Sequence, residues 1–87
     1  MKISRILQIP SVQILLFIDE KEEVRFTDLA KLIPSRGTLS ANLKSLEEEE
    51  LISRRVVTSK PIQAHYSLTE KGKQVAKIFA QLATIKN

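Results

Sequence analysis

Along the first third of the chain, apolar residues recur at helical spacing and are interrupted by one proline. Ile3, Ile6 and Leu7 predict a short first helix, about residues 2–9, that Pro10 breaks because its ring removes a backbone donor and crowds the preceding turn. Ser11 is then placed to cap a second helix, whose apolar positions Val12, Leu15, Leu16 and Ile18 face a core. Val24-Arg25-Phe26 alternates and predicts a short edge strand. Thr27 suits an N-cap and Asp28 an acidic first turn, so a third helix follows, with Leu29, Leu32 and Ile33 on one side and Pro34 as its stop.

The second half switches period twice. Ser35-Arg36-Gly37 predicts a polar turn and Thr38 the cap of a fourth helix over about residues 38–49, in which Leu39, Leu43 and Leu46 form a narrow stripe. Thr38, Ala41, Lys44 and Ser45 fall opposite it, with Ser40 and Asn42 at the flanks. Leu51–Thr58 is rich in Val and Ile and predicts a strand, Ser59-Lys60-Pro61 a turn, and Ile62–Leu68 a second strand. In that strand Ile62, Ala64, Tyr66 and Leu68 share one face and Gln63, His65 and Ser67 the other. Thr69 caps a last helix, about residues 69–85, carrying Val75, Ile78, Phe79, Leu82 and Ile85 as a long apolar stripe. The order helix, helix, strand, helix, helix, hairpin, helix is that of a winged helix-turn-helix: mainly α with a small β-hairpin (α+β), one domain over residues 1–87, with the hairpin at about 52–68 as the wing.

Composition narrows the chemistry. With 87 residues there is room for one core, and the 43% apolar content argues against disorder. There is no cysteine, which excludes disulfides, thiolate zinc sites and thiol redox sensing within this chain. The net charge of +4 is unevenly spread. Asp19, Glu20, Glu22, Glu23 and Asp28 outweigh Lys21 and Arg25, and Glu47–Glu50 form a second acidic run. Apart from that run, residues 35–65 hold Arg36, Lys44, Arg54, Arg55 and Lys60 and no acid. A segregated basic surface points to a polyanionic partner. Lys2 and Arg5 before an apolar stretch give a faint likeness to a signal peptide, but Gln8, Pro10 and Gln13 interrupt it and acids follow, so the expectation is an intracellular, cytoplasmic and nucleoid-associated protein with no membrane partner. His65 is the lone histidine and is expected to be a solvated outward residue of the hairpin, not a ligand. No paired acid and base and no phosphate-binding glycine loop suggests catalysis, and no cofactor or metal is expected.

Four segments in order, Phe26-Thr27-Asp28-Leu29, Gly37 through Glu47, Leu51-Ile52-Ser53-Arg54-Arg55-Val56 and Tyr66-Ser67-Leu68-Thr69-Glu70-Lys71-Gly72, resemble the winged helix regulators of the MarR and HxlR type. The resemblance implies a transcriptional regulator of double-stranded DNA. Two departures stand out. Glu50 occupies a position where such proteins commonly carry glycine to leave the helix in a left-handed turn, and the redox cysteine of some HxlR-type regulators is absent.

A helix entering the major groove needs short outward side chains plus a few long polar ones. Ser40 and Ala41 supply the former, and Arg36, Asn42 and Lys44 the latter, with Ser35, Thr38 and Ser45 around them. Ala41 or the Thr38 methyl suits a thymine methyl; Arg36 suits either guanine or a phosphate. On the wing, Lys60 sits at the tip, and alternation sends Arg54 and Arg55 to opposite faces: one meets DNA, the other forms a salt bridge, with the Glu47–Glu50 run as the candidate partner. The apolar residues of the two terminal helices, Ile3, Ile6, Leu7, Val75, Ile78, Phe79, Leu82 and Ile85, exceed what one small domain readily buries and predict a homodimer. The rival reading is a winged helix that serves as a protein–protein interaction module in a larger assembly. Whether a small effector is sensed does not follow from the sequence.

Overall fold

The first structural decision along the chain falls at Pro10, which starts a helix where a stop was expected. In a computed structural model describing residues 2–85, α1 covers only Ile3–Ile6, and α2 runs Pro10–Lys21 with Ile9 as N-cap and no side-chain cap. Proline suits this first helical position, since its fixed φ is already helical and its missing N–H would have no partner there. Ser11 therefore lies inside the helix. Val12, Ile14, Leu15 and Ile18 are buried, so Ile14 takes the core position expected of the half-buried Leu16. Met1, Lys86 and Asn87, included in the single-domain expectation, lie outside the described residues.

Strand β1 is Glu23–Arg25, and α3 begins at once with Phe26–Leu32. Phe26 is thus helical, and the cap is not Thr27. Asp28 reaches back instead, its Oδ2 accepting the Arg25 N–H at 3.0 Å. After Ile33 and Pro34, α4 spans Arg36–Glu48, capped by Ser35, whose Oγ accepts the Thr38 N–H at 3.4 Å. The predicted turn Ser35-Arg36-Gly37 is the start of the helix, two residues before the expected boundary at Thr38. Both shifts have one cause: several Ser, Thr and Asp residues can cap locally, and the chain path from the preceding element selects among them.

The hairpin strands are β2, Ile52–Val57, and β3, Gln63–Leu68. The expected two-stranded hairpin gains a third member, because β1 pairs antiparallel with β3 in the order β1-β3-β2. Val24 lies opposite Tyr66, and Tyr66 opposite Arg54; His65 sits between Arg25 and Arg55. Helix α5 spans Glu70–Leu82, capped by Thr69 as expected: its Oγ1 accepts the Gly72 N–H at 3.0 Å. Among the described residues, no helix is long and apolar enough to cross a membrane.

The core gathers Ile14 and Ile18 of α2, Leu29 of α3, Leu39, Leu43 and Leu46 of α4, Val24, Ile52 and Tyr66 of the sheet, and Ala76 of α5. The end of α4 is tied to the start of α5. Helix α4 closes in a Schellman motif, with the Leu51 N–H on the Leu46 carbonyl (2.9 Å) and the Glu50 N–H on the Glu47 carbonyl (3.0 Å). Glu50 takes the left-handed conformation this requires, at φ 59°. Its carbonyl accepts the Thr69 hydroxyl at 2.6 Å, the Glu49 carbonyl accepts Lys71 Nζ at 3.0 Å, and the Leu51 carbonyl accepts the Thr69 N–H at 3.1 Å. Gly72 is buried in this junction, because a Cβ there would overlap the Leu51 carbonyl oxygen.

Candidate nucleic-acid interface

Helix α4 is held by its leucines. Leu39 is fully buried and Leu43 and Leu46 nearly so, which turns the opposite side of the helix to solvent. Gly37, Thr38, Ser40, Ala41, Lys44 and Ser45 are exposed there, and Arg36, three residues before Leu39 and so on the leucine side, is exposed as the first residue of the helix. Two of the predicted site residues are already engaged. Ser35 caps the helix, and Asn42 is half-buried, its Nδ2 donating to the Thr38 carbonyl at 2.7 Å. An Asn amide committed to its own helix is less available to a base than the sequence suggested.

The sheet distributes the two wing arginines as alternation requires. Arg55 lies on the face away from α4, and its guanidinium donates to Glu23 Oε1 at 2.8 Å. The salt-bridge partner is therefore Glu23 on β1, not the Glu47–Glu50 run, because β1 joins the sheet and brings its carboxylate across β3. That donation holds the Glu23 carboxyl below the usual carboxylate range. His65 lies in the same cluster, Nδ1 3.8 Å from Glu23 Oε1 and a ring nitrogen 3.2 Å from Gln63 Oε1. It is only 17% exposed by side chain, so the expectation of a solvated histidine is corrected by the added strand.

Arg54 points the other way. With Ser40, Lys44 and Glu47 of α4, Phe26 of α3 and Tyr66 of β3, it lines a cleft of about 650 Å³ between the helix-turn-helix and the wing. Tyr66 is 5% exposed; burial pushes its hydroxyl above the usual phenol range, while the neighbouring Arg54 charge acts in the opposite direction. The wing also supplies Pro61, Ile62, Gln63 and Ala64 to this cleft. Ile62 shares the inward face as the alternation predicts, yet it is 74% exposed, since the wing extends beyond the core it would have packed against. Lys60 is exposed in the loop joining β2 to β3. Arg25, the last residue of β1 and the N-cap of α3, lines the cleft as well and escaped the sequence reading.

The residues assigned to a dimer divide. Val75 and Phe79 pack on the chain's own core, whereas Ile78 and Ile85 are 59% and 53% exposed. Ile3, Ile6, Leu7 and Leu82 are half-buried, and α1 contributes no fully buried residue.

The pattern of the HxlR-like helix-turn-helix family matches residues 11–87. The HTH-type transcriptional regulator YodB of Bacillus subtilis is 35% identical over 60 residues, which are 67% of this chain and 54% of that protein, so the chain spans about half the length of this curated relative. Among solved structures, the Salmonella typhimurium protein ytfH superposes with a TM-score of 0.77 at 28% identity, over 93% of this chain and 77% of that one. A Porphyromonas gingivalis protein assigned to the MarR family gives 0.74 at 27%, over 93% and 84%.

Proposed function

Because this chain belongs to the HxlR-like helix-turn-helix family, we propose that it is a regulator of transcription that binds double-stranded DNA through α4 and the β2–β3 wing. The observation that carries the reading is the exposed face of α4: small side chains at Gly37, Ser40 and Ala41 with Lys44 among them, and Arg36 exposed at the helix start, on a helix whose other side is locked into the core. Small residues let a helix backbone approach base edges, and the cations meet guanine or phosphate.

Arg54 is the wing arginine of this interface. It stands on the α4 side and forms no salt bridge among the described residues, whereas Arg55 is held by Glu23. Lys60 follows the flanking backbone or minor groove. Ile78 and Ile85, with the half-buried Ile3, Ile6, Leu7 and Leu82, form the contact between two copies. Two recognition helices then meet major grooves about 34 Å apart on a near-palindromic site.

A mobility-shift assay with random duplex at low salt tests the class of partner: binding supports DNA, and its absence favours the protein-interaction module. On a selected site, Lys44→Ala is expected to weaken binding to all sequences alike and lower the salt slope by about 1, while Arg36→Ala relaxes preference at one base pair by about 1–3 kcal/mol. Intact binding after both changes removes α4 from the interface. A monomer in sedimentation at micromolar concentration removes the dimer.

A further inference from the structure

The chain has two glycines, and only one of them is required by the fold. Gly72 is wedged against the Leu51 backbone. Gly37 is exposed in the first turn of α4, its φ is not positive, and a Cβ added there would meet nothing within 4 Å. Neither packing nor backbone geometry asks for glycine. In such a helical position glycine is less stable than alanine, because it gives up more backbone freedom on folding.

The direction in which Gly37 faces suggests why it is there. At 100° per residue it lies across the helix from Leu39, Leu43 and Leu46, in line with the exposed Ala41 and Lys44. Its N–H has no acceptor among the described residues. We propose that Gly37 is the point at which the α4 backbone comes closest to the floor of the major groove, and that its missing side chain sets how deeply the helix enters. This rests on the reading of α4 as the recognition helix, whose N-terminal residues meet base edges. A β-carbon at position 37 stands between the helix and those edges and holds Ser40 and Ala41 back from the bases. Gly37 carries no charge, so the loss falls on base contacts and leaves the number of neutralised phosphates unchanged.

The experiment uses a duplex recovered from a random library by the wild-type chain. Gly37→Ala is expected to raise the thermal midpoint by about 2–8 °C. It is expected to weaken binding to that duplex about tenfold, with a larger loss for Gly37→Gln, since a good base contact is worth about that discrimination. The dependence of log affinity on log salt stays at the wild-type slope. Wild-type affinity in Gly37→Ala overturns the proposal, and so does a lower thermal midpoint, which would show that the fold needs the glycine after all. If the wild-type chain recovers no duplex at low salt, the DNA reading itself fails and this inference falls with it.

Discussion

Replacing Gly72 by alanine tests the junction on which the placement of α5 depends. The added Cβ would lie 2.9 Å from the Leu51 carbonyl carbon and closer still to its oxygen. Carbon atoms pack at about 3.5 Å, so α5 must retreat by roughly 0.6 Å against the carbon alone, and further against the oxygen. The obstacle is backbone, not a side chain that can swing aside. Overpacking of this kind costs about 1–3 kcal/mol. The retreat also stretches the Thr69 N–H bond to Leu51, the Thr69 hydroxyl bond to Glu50 and the Lys71 bond to Glu49, each worth about 1 kcal/mol when intact. Alanine returns about 1 kcal/mol of helix propensity. With the propensity gain offsetting about one bond's worth of that weakening, the balance is a loss of about 1–3 kcal/mol, which at about 4–8 °C per kcal/mol for a domain of this size lowers the melting midpoint by roughly 4–24 °C. Thermal and urea melts followed by far-ultraviolet circular dichroism measure it, with the urea m-value expected to stay unchanged. A Gly72→Ala variant that melts at or above the wild type refutes the close approach of α5 to Leu51.

Glu50→Gly is expected to stabilise the chain by about 1 kcal/mol, read as a higher thermal midpoint, because Glu50 adopts φ 59° to close α4 and glycine does so without a Cβ clash. Leu39→Ala, at a fully buried position of α4, is expected to lose about 2–5 kcal/mol in urea titration. The Arg55–Glu23 pair predicts a pH effect of definite sign. The folded Glu23 carboxyl is depressed below 4.5, so its contribution is present above that value and fades as pH falls through the folded pKa. Arg55→Ala should return the Glu23 titration midpoint, followed by side-chain NMR, toward the ordinary value and remove that part of the acid dependence. At the alkaline end the sign is reversed in its pH direction. The buried Tyr66 hydroxyl is raised above 10.0, so its contribution is present below that value and declines as pH climbs beyond it; Tyr66→Phe should flatten the alkaline limb of a stability–pH profile.

The residues that the sequence placed well share a property: their roles depend on near neighbours. The Leu39, Leu43 and Leu46 stripe is buried because a period of 3.6 residues gathers apolar side chains on one side of a helix. Thr69 caps α5 as expected, and the alternation of β3 put Tyr66 on the core face. Glu50 in place of the usual glycine was visible as a strained helix exit, and its positive φ agrees. The helix starts were less legible. Ser11, Thr27 and Thr38 are all chemically fit to cap, yet Ile9, Arg25 and Ser35 take the cap positions.

By itself, the order of periods along this chain determines a helix-turn-helix followed by a hairpin and a closing helix, because periodicity and turn chemistry are properties of neighbouring residues. Tertiary structure alone decided the rest. It brought β1 beside β3, which paired Arg55 with Glu23, half-buried His65 and left Arg54 in the cleft facing α4. It also made one glycine indispensable and the other free of any packing demand. Those outcomes depend on which segments meet through space, and residues 23 and 55 carry no local sign that a third strand will bring them within 2.8 Å of each other.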